Sequence, residues 1–211
     1  MPENPLGYED LGGAYAQMGD YQRAIAAFQK GLAVQPSPEL WSDLGSAYMF
    51  LGQYSKAVEP MEKAVALNPH DHMLWRNLAD SYRQVPSLAG KAPEAYRKAL
   101  EAAQQQLKIN PADKYALSFS GLYEAHLGNK EEARSYTAKA LRQAPKDSDA
   151  LFTAALVYEI IGERKMALSY LGDSLKSGFS VEDVKREPDL QALRSDGRYS
   201  ALVHDSKIAT R

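Results

Sequence analysis

Residues 41–69, WSDLGSAYMFLGQYSKAVEPMEKAVALNP, decide the fold of this 211-residue chain. Apolar and small residues recur at helical spacing on both sides of Gly52, and Pro69 closes the stretch. It reads as two short amphipathic helices joined by a glycine turn. Moving Leu44, Gly45, Tyr48, Gly52, Tyr54, Ala57, Ala64 and Pro69 back by 33 residues lands on Leu11, Gly12, Tyr15, Gly19, Tyr21, Ala24, Gly31 and Pro36. So many coincidences at one offset mark a stacked helical array. Each position has a physical reason. Gly45 and Gly12 are small where the paired helices approach, and Tyr48 and Tyr15 fill the space beside that contact. Ala57 and Ala24 lie where the second helix crosses the first. Gly52 and Gly19 supply the positive φ that ends the first helix. Pro69 and Pro36 stop the second, because proline lacks the next N–H.

The pattern resembles the tetratricopeptide repeat (TPR), whose signature is Trp-x2-Leu-Gly-x2-Tyr, then Ala, an aromatic, Ala and Pro over about 34 residues. Trp41, Leu44, Gly45, Tyr48, Ala57, Ala64 and Pro69 match it, with Met61 in place of the aromatic, and the resemblance covers roughly residues 5–181. It implies an all-α, right-handed superhelical solenoid of helix-turn-helix repeats with a C-terminal helical cap.

Five repeats are expected, over about residues 5–37, 38–71, 72–113, 114–147 and 148–181, with capping helices and tail over 182–211. The third repeat is longer. Tyr82 and Ala99 are 17 residues apart where Tyr48 and Ala57 are 9 apart, so eight residues are inserted in VPSLAGKAPEAY. Ala92-Pro93-Glu94 reads as a helix start. The second helix of this repeat should therefore run from about Pro93 to Ile109, two turns longer than its peers. The fourth repeat is the most degenerate, with Ser120, Glu124 and Thr137 at the Leu, Tyr and aromatic positions. In the fifth, Phe179 stands where the proline would be. Pro2 falls where the closing proline of a preceding repeat would sit, which fits either a native start or an array cut from a longer parent. In the tail, Leu190, Leu193, Tyr199, Leu202 and Val203 form apolar stripes suited to covering a terminal repeat. Pro188-Asp189-Leu190 and residues 193–199 also resemble the ends of TPR arrays in multidomain bacterial signalling proteins.

Composition narrows the function. With 25 basic and 27 acidic residues there is no electrostatic footprint for nucleic acid or an anionic membrane. The absence of cysteine excludes disulfides, thiolate metal sites and Cys nucleophiles. No apolar run approaches the ~18 residues of a membrane span, and the start MPENPLGYED lacks the basic and apolar parts of a signal peptide. A cytoplasmic protein is expected. His70-Asp71-His72 invites a metal reading, but no third ligand sits at a fixed spacing, and a repeat junction is where Asp or His caps a helix. No metal and no cofactor are expected. No nucleophile–base pair or phosphate-binding loop can be drawn, so no catalysis is expected. Glu124, Glu131 and Glu132 read as solvated helix residues.

What remains is binding. In TPR arrays the first helix of each pair lines the concave surface, and helical spacing picks out its outward residues. The candidate groove residues are Glu9, Asp10, Asp43, Phe50, Arg76, Asn77, Asp80, Arg83, Tyr115, Phe119, Leu122, His126, Phe152 and Leu156. Their character grades from acidic to mixed to apolar along the chain. Arg76, Asp80 and Arg83 also have the spacing of a surface ion-pair ladder. Phe119, Leu122, Phe152 and Leu156 have no core duty in the repeat template, so they are expected either to be exposed for a ligand or to be covered by the tail or by a tilt of the fourth repeat. The expected partner is a protein or peptide segment, its apolar side chain between Phe119 and Phe152 and its basic residues facing Glu9, Asp10, Glu39 and Asp43. Self-association, or service as a regulatory segment of a larger signalling protein, is the alternative. A chaperone C-terminal carboxylate is argued against, because Glu9, Gly13, Ser42 and Ser46 occupy the positions that would have to hold it.

Overall fold

The computed structural model describes residues 4–209; the Pro2 reading lies outside them. Every regular element among the described residues is helical. The chain divides into two compact units, Met1–Ala102 and Ala103–Arg211.

Unit 1 holds α1 (Pro5–Gln17), α2 (Tyr21–Val34), α3 (Pro38–Phe50), α4 (Tyr54–Leu67), α5 (His72–Gln84) and the start of α6 (Ala92–Ile109). Helices α1 and α2 pack as one pair and α3 and α4 as the next, with α2 against α3 and α4 against α5. The starts of α1, α2, α3 and α5 are set by Asn4, Asp20, Ser37 and Asp71, whose side chains accept backbone N–H groups of the first turn. Asp71 is thus a helix cap, as the junction reading of His70-Asp71-His72 expects. The ends of α1 and α3 share one device. Gly19 and Gly52 take φ of 76° and 69°, and the following residues, Asp20 and Gln53, donate back to the carbonyls of Tyr15 and Tyr48 at 2.9 Å. That is the left-handed helix stop for which glycine carries no Cβ penalty. The close approach at the crossing is literal. A Cβ on Gly12 would lie 2.3 Å from the Phe28 ring, and one on Gly45 would lie 2.7 Å from Met61 Cε.

The long repeat departs from expectation in how it spends its insertion. Helix α6 reaches Ile109 as expected but has 18 residues against 14 in α2 and α4, so it is one turn longer, not two. The other four inserted residues lengthen the connection after α5, which contains a 3₁₀ turn at Ala89–Lys91. Pro86 falls in the connection, and Pro93 sits in the first turn of α6, where a missing N–H breaks no helical bond.

Unit 2 contains the rest of α6, then α7 (Lys114–His126), α8 (Lys130–Gln143), α9 (Ser148–Ile160), α10 (Arg164–Lys176), α11 (Val181–Arg186) and α12 (Gly197–Ala209). Helices α7 and α8 form one pair and α9 and α10 another, and α7 also packs against α9. Gly128 and Gly162 repeat the positive-φ stop. At the α7–α8 crossing Thr137 replaces the aromatic, and Gly121 faces its Oγ1. Between α11 and α12 come two single-turn 3₁₀ helices, Pro188–Leu190 and Leu193–Ser195. Helix α12 covers α10, with Leu202 set against Gly172.

Candidate functional site

In unit 1 the expected inner-face residues come together on α1, α3 and α5. Asn77 Nδ2 donates to Ser42 Oγ at 3.1 Å, joining α5 to α3. Asp43 lies close enough to Glu9 of α1 and to Glu39 to feel both charges. Its carboxyl is pushed up to about 6, first by burial and then by repulsion from Glu9 and Glu39. Asp10 is exposed one position further round α1. The ladder on α5 is formed: Arg76 Nε lies 3.4 Å and Arg83 Nη1 3.8 Å from the Asp80 carboxylate. Tyr96 of α6 donates its hydroxyl to Asp80 and accepts from Arg83 Nη1 at 3.2 Å. Arg76, Asp80 and Arg83 are therefore partnered within the protein. Phe50 keeps more than half its surface exposed, and its ring stacks on Tyr21 at 4.9 Å.

In unit 2 the apolar candidates are covered, one of the two courses open to them. Tyr115, at the start of α7, is half exposed, with Lys114 Nζ 4.7 Å from its ring centre. Leu122, Phe152 and Leu156, expected either exposed for a ligand or covered by the tail or by a tilt of the fourth repeat, are buried, and Phe119 packs against the same cluster. The cause is the tail. Val184, Leu190, Leu193 and Tyr199 belong to this cluster. Phe179 stacks on Phe152 with ring centres 4.0 Å apart and planes 17° apart. His126 Nε2 lies 3.1 Å from Asp189 Oδ2, with both side chains all but closed to solvent at 6% and 7% exposure. The expected anchor between Phe119 and Phe152 is thus filled by the chain itself.

Three residues carry more than their sequence reading allowed. Glu124 is buried, not solvated. Its side chain accepts from Asn129 Nδ2 at 2.7 Å, and its carbonyl accepts the Asn129 N–H at 2.9 Å. Its place at the Tyr position of the repeat was the available signal, because that position points inward. Phe179 and Asp189 had only weak signals: a missing proline in one case, and an acid beside an apolar stripe in the other. Among the described residues no group of three or more His, Asp or Glu side chains could hold a metal ion, and no helix is long and apolar enough to cross a membrane.

The tetratricopeptide repeat family model matches residues 9–71, 42–106 and 94–148. The chain belongs to the tetratricopeptide repeat family. Comparison with the curated proteins finds no match. Solved structures do match. TTC0263, a thermophilic TPR protein of Thermus thermophilus, is 22% identical over 89% of this chain and 99% of its own, with a TM-score of 0.64. MamA is 26% identical over 84% of this chain and 93% of its own, with a TM-score of 0.50. YrrB, a TPR protein with an unusual peptide-binding site, is 22% identical over 91% of this chain and 93% of its own, with a TM-score of 0.50. At such identities the likeness to TTC0263 and YrrB speaks for the fold alone.

Proposed function

We propose that this chain is a non-enzymatic protein-interaction module whose inner face in unit 1 receives a basic segment of a partner protein. The repeats would be the five spans expected from sequence, with residues 182–211 as cap and tail. The observation that carries the reading is Asp43. A half-buried carboxyl raised to about 6 by its surroundings, with Glu9 and Glu39 adding to the rise, is a site where an incoming cation gains most. Among the described residues Glu9, Glu39 and Asp43 make no ion pair of their own. Asn77 and the exposed Asp10 extend the surface, while Arg76 and Arg83 are held by Asp80 and set its far edge. YrrB offers a matched structure in which a peptide is the ligand class. A display library of random 12-residue peptides, panned against the full chain, tests this. Lys- and Arg-rich sequences should be enriched, and Glu9→Lys/Asp43→Lys should abolish the enrichment. Enrichment that survives the double substitution would sink the reading.

One observation favours self-association as a second reading. Leu11 is 44% exposed, whereas the residues at its position in the later pairs, Leu44, Leu78, Ser120 and Ala154, are 4%, 2%, 0% and 1% exposed. Ala14 and Met18 continue the same exposed stripe along α1. A second copy covering that stripe would give a mass that rises with concentration in solution scattering, and Leu11→Lys would abolish the rise.

A further inference from the structure

The inner face of unit 2 is occupied by residues 179–193. After the turn at Gly178 the chain returns over α7 and α9 by way of α11 and the two 3₁₀ helices. Phe179 lies on Phe152, Asp189 meets His126, and Leu190 is fully buried in a 3₁₀ turn that packs against α9. This passage is separate from closing the end of the array, which α12 does by lying on α10 with Leu202 against Gly172. The segment lies on His126 and Phe152, two of the positions that the repeat register presents to a ligand, and shares one apolar cluster with Phe119, Leu122 and Leu156.

We propose that the inner face of α7 and α9 is a binding surface for an Asp-Leu-x-x-Leu segment, and that residues 179–193 are its built-in occupant, displaced by a partner segment of the same chemistry. The pattern is read from the occupant. Asp189 supplies the carboxylate opposite His126, and Leu190 and Leu193 supply the two apolar side chains, with Phe179 upstream as a further anchor. The occupant is built to be exchanged. Its regular elements are the six-residue α11 and 3₁₀ helices of three residues each, whose backbone bonds are local, such as Leu190 N–H to the Glu187 carbonyl and Asp196 N–H to the Leu193 carbonyl. Beyond its first residue, whose N–H donates to the Ser174 carbonyl of α10 at 3.1 Å, the contacts described above that fix it to the repeats run through side chains, and segments tied in this way open at lower free energy than the helices beneath them. An added segment making the same contacts competes for one surface, and the resting chain answers only to a ligand able to win that competition. The inference shares with the preceding reading the view that inner faces bind, but it concerns another surface with the opposite preference in charge.

The test uses the full chain and a fluorescein-labelled peptide of residues 179–196, FSVEDVKREPDLQALRSD. Leu190→Asp in the chain should release the occupant, and the peptide should then bind at least tenfold more tightly than to the unaltered protein. Peptide carrying Leu190→Asp should bind neither. Asp189→Lys in the chain is the milder release variant should Leu190→Asp lose its helical circular dichroism. Asp43→Lys should leave peptide binding unchanged, which separates this surface from the one in unit 1. A folded release variant that binds no better than the unaltered chain overturns the proposal. So does a concentration-dependent dimer that free peptide dissolves, because the occupant would then come from a second copy. Amide hydrogen exchange on the unaltered chain gives an independent reading. Residues 180–196 should exchange at least tenfold faster than α9 and α10, and equal protection throughout would make the segment part of the core and refute its displacement.

Discussion

Replacing Asp43 by asparagine should make unit 1 more stable at neutral pH. The Asp43 carboxyl is raised from 3.8 to about 6, burial being the largest cause and Glu9 and Glu39 the next. A folded-state value above the unfolded one means that the native protein holds its proton longer. Between pH ~4 and ~6 the native state therefore binds more protons than the unfolded chain, and stability falls as pH rises through that window. Above it the full penalty of a charged, half-buried carboxylate is present. At about 1.4 kcal/mol per pKa unit the rise corresponds to ~3 kcal/mol. Solvent screening of a partly exposed side chain cuts this to about 1–2 kcal/mol. Asparagine keeps the shape and removes the charge. Both tryptophans, Trp41 and Trp75, lie in unit 1, so their fluorescence follows its unfolding selectively. Urea titrations at pH 8 should show Asp43→Asn more stable by that amount, and the advantage should shrink steadily on acidification through pH 4.5. A variant no more stable than the parent at pH 8, or an advantage that grows on acidification, would refute the reasoning.

The two crossing glycines of unit 1 should respond differently to alanine. Gly12→Ala meets a rigid Phe28 ring and should cost about 1–2 kcal/mol more than Gly45→Ala, whose neighbour is the flexible end of Met61, as read from urea midpoints. Phe152→Ala removes a buried ring and the face on which Phe179 stacks. It should destabilise unit 2 by about 3–4 kcal/mol in a denaturation followed by circular dichroism, and a loss below about 1 kcal/mol would mean that the stack contributes little.

The repeat was legible because each of its marks answers a contact made inside one helix pair or with the next. Gly12 and Gly45 are small because Phe28 and Met61 press on them, and Gly19 and Gly52 are glycine because φ is positive there. Such requirements recur with the repeat and so show as a period. The tail has no period, and its contacts join residues far apart in sequence. Phe119 and Phe152 were readable as inner-face apolar residues. The choice between an exposed site and cover by the tail was not, because an apolar side chain is the same whether a partner or the chain's own Phe179 lies on it. The acidic surface around Asp43 was legible by register. So was the ladder of Arg76, Asp80 and Arg83, but the closing of Asp80 by Tyr96 was not, since Tyr96 reaches it from a different helix. Glu124 shows two local rules in conflict: its residue type indicated solvent and its register the interior. The register prevailed because Asn129 supplies the hydrogen bond that makes a buried carboxylate tolerable.

The bare stripe on α1 and the covered face of α10 have a joint consequence for any assembly. A filament grows only when each added subunit presents a fresh acceptor for the next. Here α12 already lies on α10, so that face offers no acceptor. Copies that pair Leu11, Ala14 and Met18 with the same stripe on a second copy make a two-fold contact, and a two-fold contact consumes both patches. Growth through such a pairing stops at two copies. Under the self-association reading, overexpression should give dimers and not fibres, and substitutions that lift α12 from α10 are the ones to watch for polymerisation.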